Sequence, residues 1–163
     1  MTTYAQTQGV RSASATLTDV GDALDGLTTE VRTVLSDQAV GSTTSSSLVM
    51  IENGTDDCEI TLSNVTADEV IEIVGHINFS GSSAVRAAFQ IRNNTDAVNL
   101  DPQVERLATG TATSGRDDWA TVTAKDTGRT GSVVYRLMWS TESGTIYSKK
   151  SYMQIRRTID RDV

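Results

Sequence analysis

From residue 48 to residue 158, apolar side chains recur at every second position in one short run after another. A period of two belongs to a strand with one buried face, and it leaves no room for a helix between the runs. The longest run, DEVIEIVGHINFSG, sets Ile71, Ile73, Ile77 and Phe79 on one side and Glu72, Val74, His76 and Asn78 on the other. AVRAAFQIR repeats the pattern with Val85, Ala87, Phe89 and Ile91 inward, and SVVYRLMWST does so with Val133, Tyr135, Leu137 and Trp139. LVMIE, CEITLS, a weak VERL, WATVTAK, GTIYSKK and SYMQIRR complete the set, with NGTDD, KDTGRTGS and ESGT as turn signals between them. Eight or nine strands at short intervals predict a mainly β domain over residues 48–163, an antiparallel sandwich wound as a two-sheet jelly roll.

The N-terminal part follows another period. In TLTDVGDALDGLTTEVRTVL, residues 16–35, the apolar positions are Leu17, Val20, Leu24, Leu27, Val31 and Val34, spaced alternately by three and four. Val10 and Ala13 extend the series backward, so heptad a and d positions run for about four repeats, the length at which a coiled coil becomes a serious expectation. The flanking e and g positions are mostly polar or small, which narrows the stripe to a seam shared between copies. Each of the two glycines costs roughly 1 kcal/mol in a helix interior, so such a helix needs a partner to cover it. The expectation is an α-helical coiled-coil stalk within residues 1–47, preceded by the arm MTTYAQTQG and followed by the linker AVGSTTSSS. Its oligomerisation seam is Val10, Leu17, Val20, Leu24, Leu27, Val31 and Val34.

Charge is uneven along the chain. Residues 1–85 carry 2 basic and 12 acidic side chains, giving -10, and residues 86–163 carry 12 basic and 9 acidic, giving +3. An acidic half argues against nucleic acid as a partner, because phosphate contacts need clustered Lys and Arg. No apolar run approaches the roughly 18 residues of a membrane span, and no secretory leader is visible, so a product made in the cytoplasm without membrane insertion is expected. Ser and Thr make up 41 of the 163 residues, while proline occurs once. That balance suits exposed faces of pleated sheets.

Catalytic groups are scarce. His76 is the one histidine, it lies on the strand face opposite the isoleucines, and no G-x-S-x-G turn offers it a nucleophile. Cys58 is the one cysteine, which excludes an internal disulfide and a multi-cysteine zinc site, and it is expected in the core. The paired acids Asp56/Asp57 and Asp117/Asp118 do not fit the twelve-residue calcium loop. TGRTGS and GSSAVRA lack the Lys-Ser/Thr ending of a phosphate loop. The sequence therefore predicts a protein that is not an enzyme and has no cofactor and no metal. Of the two tryptophans, Trp139 fits a core or subunit contact, and Trp119, after an acidic loop, is the one expected to be exposed and able to stack on a sugar ring.

The closing pattern VVYRLMWSTESGTIYSKKSYMQIRRT, residues 133–158, resembles the last strands of tailed-bacteriophage fibre, spike and head-decoration domains. DEVIEIVGHINFSGSS similarly looks like the early strand of such domains, so the resemblance spans about residues 68–158. It implies a noncatalytic virion structural protein, a homotrimeric capsid decoration or head fibre with a jelly-roll domain. Its partners would be its own copies and the major capsid protein or another virion protein, held through residues 1–38. The alternative it implies is a tail or fibre receptor-binding protein that takes a host surface glycan at Arg116, Asp117, Asp118 and Trp119.

Overall fold

A computed structural model describes residues 28–34, 41–52, 57–108, 118–148 and 150–159. The described residues form eleven strands and no helix: β1 (Thr28–Val34), β2 (Gly41–Thr43), β3 (Val49–Met50), β4 (Glu59–Val65), β5 (Glu69–Gly81), β6 (Val85–Asn93), β7 (Val98–Ala108), β8 (Asp118–Thr127), β9 (Gly131–Thr141), β10 (Ile146–Ser148) and β11 (Ser151–Ile159). All the pairings between them are antiparallel.

The strands divide into two sheets. In the first, β5 is flanked by β8 on one side and by β11 and β10 on the other, with β1 outside β11 and β2 outside β10. In the second, β9 lies between β6 on one side and β3 and β4 on the other, and β7 closes the edge beyond β6. With the orders 1-11-5-8 and 4-9-6-7, six of the ten connections between the eleven strands pass from sheet to sheet, a jelly-roll-like winding. The predicted runs from residue 48 onward are all strands.

One core lies between the sheets. Ile71, Ile73, Ile77 and Phe79 of β5 face Phe89 and Ile91 of β6 and Tyr135, Leu137 and Trp139 of β9, and all are buried. The Phe79 and Phe89 rings meet across the layers at a centroid separation of 4.9 Å. Gly75 interrupts the large residues of β5 because a Cβ there would lie 2.6 Å from Leu137 Cδ1. The sheets can approach so closely only where one strand has no side chain. Cys58 is buried just before β4, as its small apolar character predicts.

The expected helix requires a correction. Residues 28–34, which it was to include, form β1, paired along its whole length with β11. Val31 and Val34, expected at the seam, lie opposite Gln154 and Ser151. Five of the seven residues in TTEVRTV are Thr or Val, whose branched Cβ loses χ1 freedom in a helix and fits a pleated strand, and β11 supplies an open edge to pair with. Val10, Leu17, Val20, Leu24 and Leu27 lie outside the described residues. β1 and β2 also place sheet residues on the N-terminal side of position 48.

Two polar clusters hold strand ends. Glu69, at the start of β5, accepts hydrogen bonds from Arg157 Nε at 2.6 Å and Nη2 at 2.8 Å and from the Thr66 amide at 3.0 Å, tying the β4–β5 turn to β11. The Arg157 hydrogen bonds hold the Glu69 carboxyl below the ordinary glutamate range even though burial opposes it. A carboxyl with a depressed folded pKa adds stability that is complete above its unfolded value, about 4.3, and disappears as pH falls through the folded value. Glu69→Gln is therefore expected to flatten the acid side of a plot of urea midpoint against pH below about 4.3. An unchanged acid limb would show that the pair contributes nothing.

Candidate functional site

The outer face of the first sheet is built by the residues that the alternation turns away from the core. Pairing register aligns them in rows across β8, β5 and β11: Trp119 with Asn78, then Thr121 with His76 and Tyr152, then Thr123 with Val74 and Gln154, then Lys125 with Glu72 and Arg156. Trp119 is 55% exposed, while Trp139 is 1% exposed and belongs to the chain's own core. Asp118, beside Trp119, is half-buried. Arg116 and Asp117 lie outside the described residues.

His76 lies within this face, as the alternation predicts. Its ring stacks on Tyr152 with centroids 4.6 Å apart and planes 30° from parallel, and its Nδ1 is 3.1 Å from the Thr121 hydroxyl. Three strands thus fix one imidazole. Among the described residues no group of three or more His, Cys, Asp and Glu side chains converges to hold a metal ion.

Further along the same face is a groove of about 450 Å³, lined by Glu72, Val74, Thr123 and Lys125, with Asp101 and Pro102 of β7 beside them. Its wall comes from an irregularity in β7. Phe89 pairs with Val104 but Ile91 pairs with Leu100, so three residues of β7 oppose Gln90 alone. The extra residues bulge outward, and buried Gln90 satisfies the freed backbone by donating from Nε2 to Leu100 O at 3.1 Å. Sequence reasoning identified Trp119 and the outward direction of His76, Val74 and Glu72. It did not find Tyr152 or the groove, because a strand's alternation tells which way a side chain points and not which strand lies beside it.

A second polar cluster lies at one end of the sandwich. Buried Asp126 of β8 accepts hydrogen bonds from Tyr135 Oη at 3.0 Å, Asn93 Nδ2 at 2.9 Å, Arg129 Nε at 2.8 Å and the Thr127 amide at 3.0 Å. Asp96, in the β6–β7 turn, accepts from Asn93 Nδ2 and pairs with Arg129 Nη1 at 3.0 Å. Burial, and after it the Asp126 charge, push the Tyr135 phenol far above its ordinary range, so it remains a hydrogen-bond donor. Every polar group here is occupied by another, which makes the cluster a brace for the turns rather than an open site.

No helix among the described residues is long and apolar enough to cross a membrane. No protein-family model matches the chain, and no curated protein matches it. Several solved structures bear a low likeness to this chain. A chain of the VP2 subviral particle of infectious bursal disease virus is 14% identical with a TM-score of 0.43, over 82% of this chain and 33% of that one. The latent PorU of Porphyromonas gingivalis is 8% identical with a TM-score of 0.46, over 82% of this chain and 13% of that one. The C-terminal CBM6 of LamC, a marine laminarinase of Zobellia galactanivorans, is 7% identical with a TM-score of 0.36, over 76% of this chain and 98% of that one. The chain therefore spans about a third of the viral protein it matches.

Proposed function

We propose that the chain is a noncatalytic structural protein of a tailed-bacteriophage virion, a homotrimeric capsid decoration or head fibre made in the host cytoplasm. The strand order 1-11-5-8 over 4-9-6-7 supports this, since double-sheet jelly rolls recur in viral shells, and the phage-like patterns in β5 and β9–β11 point the same way. The docking segment is the part of the chain before Thr28, because β1 is already committed to the sheet. Its partner is the major capsid protein or another virion protein. Removal of residues 1–27 is expected to leave a protein with unchanged strand-type circular dichroism that no longer cosediments with particles lacking the endogenous copy. Undiminished cosedimentation would place the anchor elsewhere.

Glycan binding on a tail or fibre is the second reading, favoured by the exposure of Trp119 on a regular strand. A tryptophan more than half in water contributes little to the core, so Trp119→Ala should change stability by no more than about 0.5 kcal/mol in urea unfolding. The same substitution should abolish glycan retention if this reading holds.

A further inference from the structure

We infer that the outer face of β8, β5 and β11 is the binding site of a neutral oligosaccharide that stacks on Trp119 and runs along the strands into the groove beside the β7 bulge. The inference rests on the glycan-binding reading and moves its centre from the loop before β8 to the sheet itself.

Three observations converge on this ligand chemistry. Trp119 presents an indole to solvent on a strand whose other outward residues are Thr121, Thr123, Lys125 and Thr127. An exposed indole among hydroxyls offers what a pyranose needs, an apolar surface for its C–H face and hydrogen-bonding groups at its rim. The neighbouring His76 is held in place by Tyr152 and Thr121, so little side-chain freedom would be lost on binding. At the other end, the groove volume falls within the usual range for small-ligand sites.

The charges in the groove select the ligand further. Glu72 and Asp101 oppose Lys125 in sign, and among the described residues none of the three is joined in an ion pair. A polyanion would meet the carboxylates of Glu72 and Asp101, and a polycation would meet Lys125 and, across Glu72, exposed Arg156. Neutral hydroxyls donate to the carboxylates and accept from the ammonium, satisfying all three. Trp119 and Lys125 are six residues apart on one strand, about 20 Å at the usual rise, so the occupant is a chain of several sugars rather than one.

The test uses the full-length protein with maltohexaose, cellohexaose and chitohexaose as neutral probes and a hyaluronan hexasaccharide as an acidic one. Isothermal titration calorimetry reads binding in every variant, and tryptophan emission reports on the site in those that keep Trp119, because Trp139 is shielded. The expected result is saturable binding of at least one neutral hexaose, its loss in Trp119→Ala, and a five- to tenfold weakening in Glu72→Gln and in Lys125→Met, with all variants melting as the wild type does. If Trp119→Ala loses binding while both groove variants bind normally, the inference is overturned and the loop-centred glycan reading stands. If no neutral hexaose binds, or only the acidic one does, the inference is overturned; in the first case the glycan reading falls with it. A sedimentation shift sensitive to Trp119→Ala without sugar binding would mean that a second copy of the chain covers the face, and would also overturn it.

Discussion

Asp126→Ala is expected to destabilise the protein by about 3–5 kcal/mol, read as a lower urea midpoint at unchanged slope. The carboxylate accepts four hydrogen bonds, and alanine leaves all four donors behind. Tyr135 and Asn93 are completely buried and cannot turn to water, so the phenol loses its partner and the amide keeps only Asp96. Arg129 retains Asp96, but Asp96 belongs to the β6–β7 turn that the same network holds. Loss of one residue thus loosens two turns and two strands together. Tyr135→Phe makes the informative contrast. It removes one donor and leaves the carboxylate with three, so a cost of about 1 kcal/mol is expected. Equal costs for the two substitutions would mean that Asp126 acts through Tyr135 alone.

Trp139→Ala is expected to cost a similar 3–5 kcal/mol by a different mechanism. Trp139 heads the largest fully buried side chains and lies in β9 between Val49 of β3 and Phe89 of β6, whose ring meets Phe79 of the opposite sheet. An alanine there leaves a cavity that sheets pinned on both sides cannot close. For a domain of this size the melting temperature should fall by roughly 6–20 °C. Because the indole is enclosed by its own chain, the loss should not depend on protein concentration. A loss that shrinks on dilution of the wild type would reassign Trp139 to a contact between subunits.

Legibility followed the number of buried faces. Where one face of a strand meets the core, as in β5, β6 and β9, alternation alone identified the strand and its inward residues. Only the short VERL marks β7 in the sequence because it is an edge strand with a bulge: of its eleven residues only Leu100 and Ala108 are buried, so its pattern has no period. The helix failed over residues 28–34 for another reason. Valines spaced by three satisfy a heptad and also occur in a strand, and the surrounding threonines, which favour the strand, carried too little weight beside the seam. The candidate site was half legible. Trp119 could be chosen because it follows a polar loop, whereas the pairing of His76 with Tyr152 and of Glu72 with Lys125 depends on register, which tertiary structure sets.

As proposed, this jelly-roll-like protein is a repeated part of a phage shell. Quantitative mass spectrometry of virions purified from a host that carries the gene is the test. The expected result is a copy number of the same order as that of the major capsid protein, falling to background when residues 1–27 are deleted from the gene. Absence from purified particles, or a copy number matching the tail-tip proteins, would contradict it.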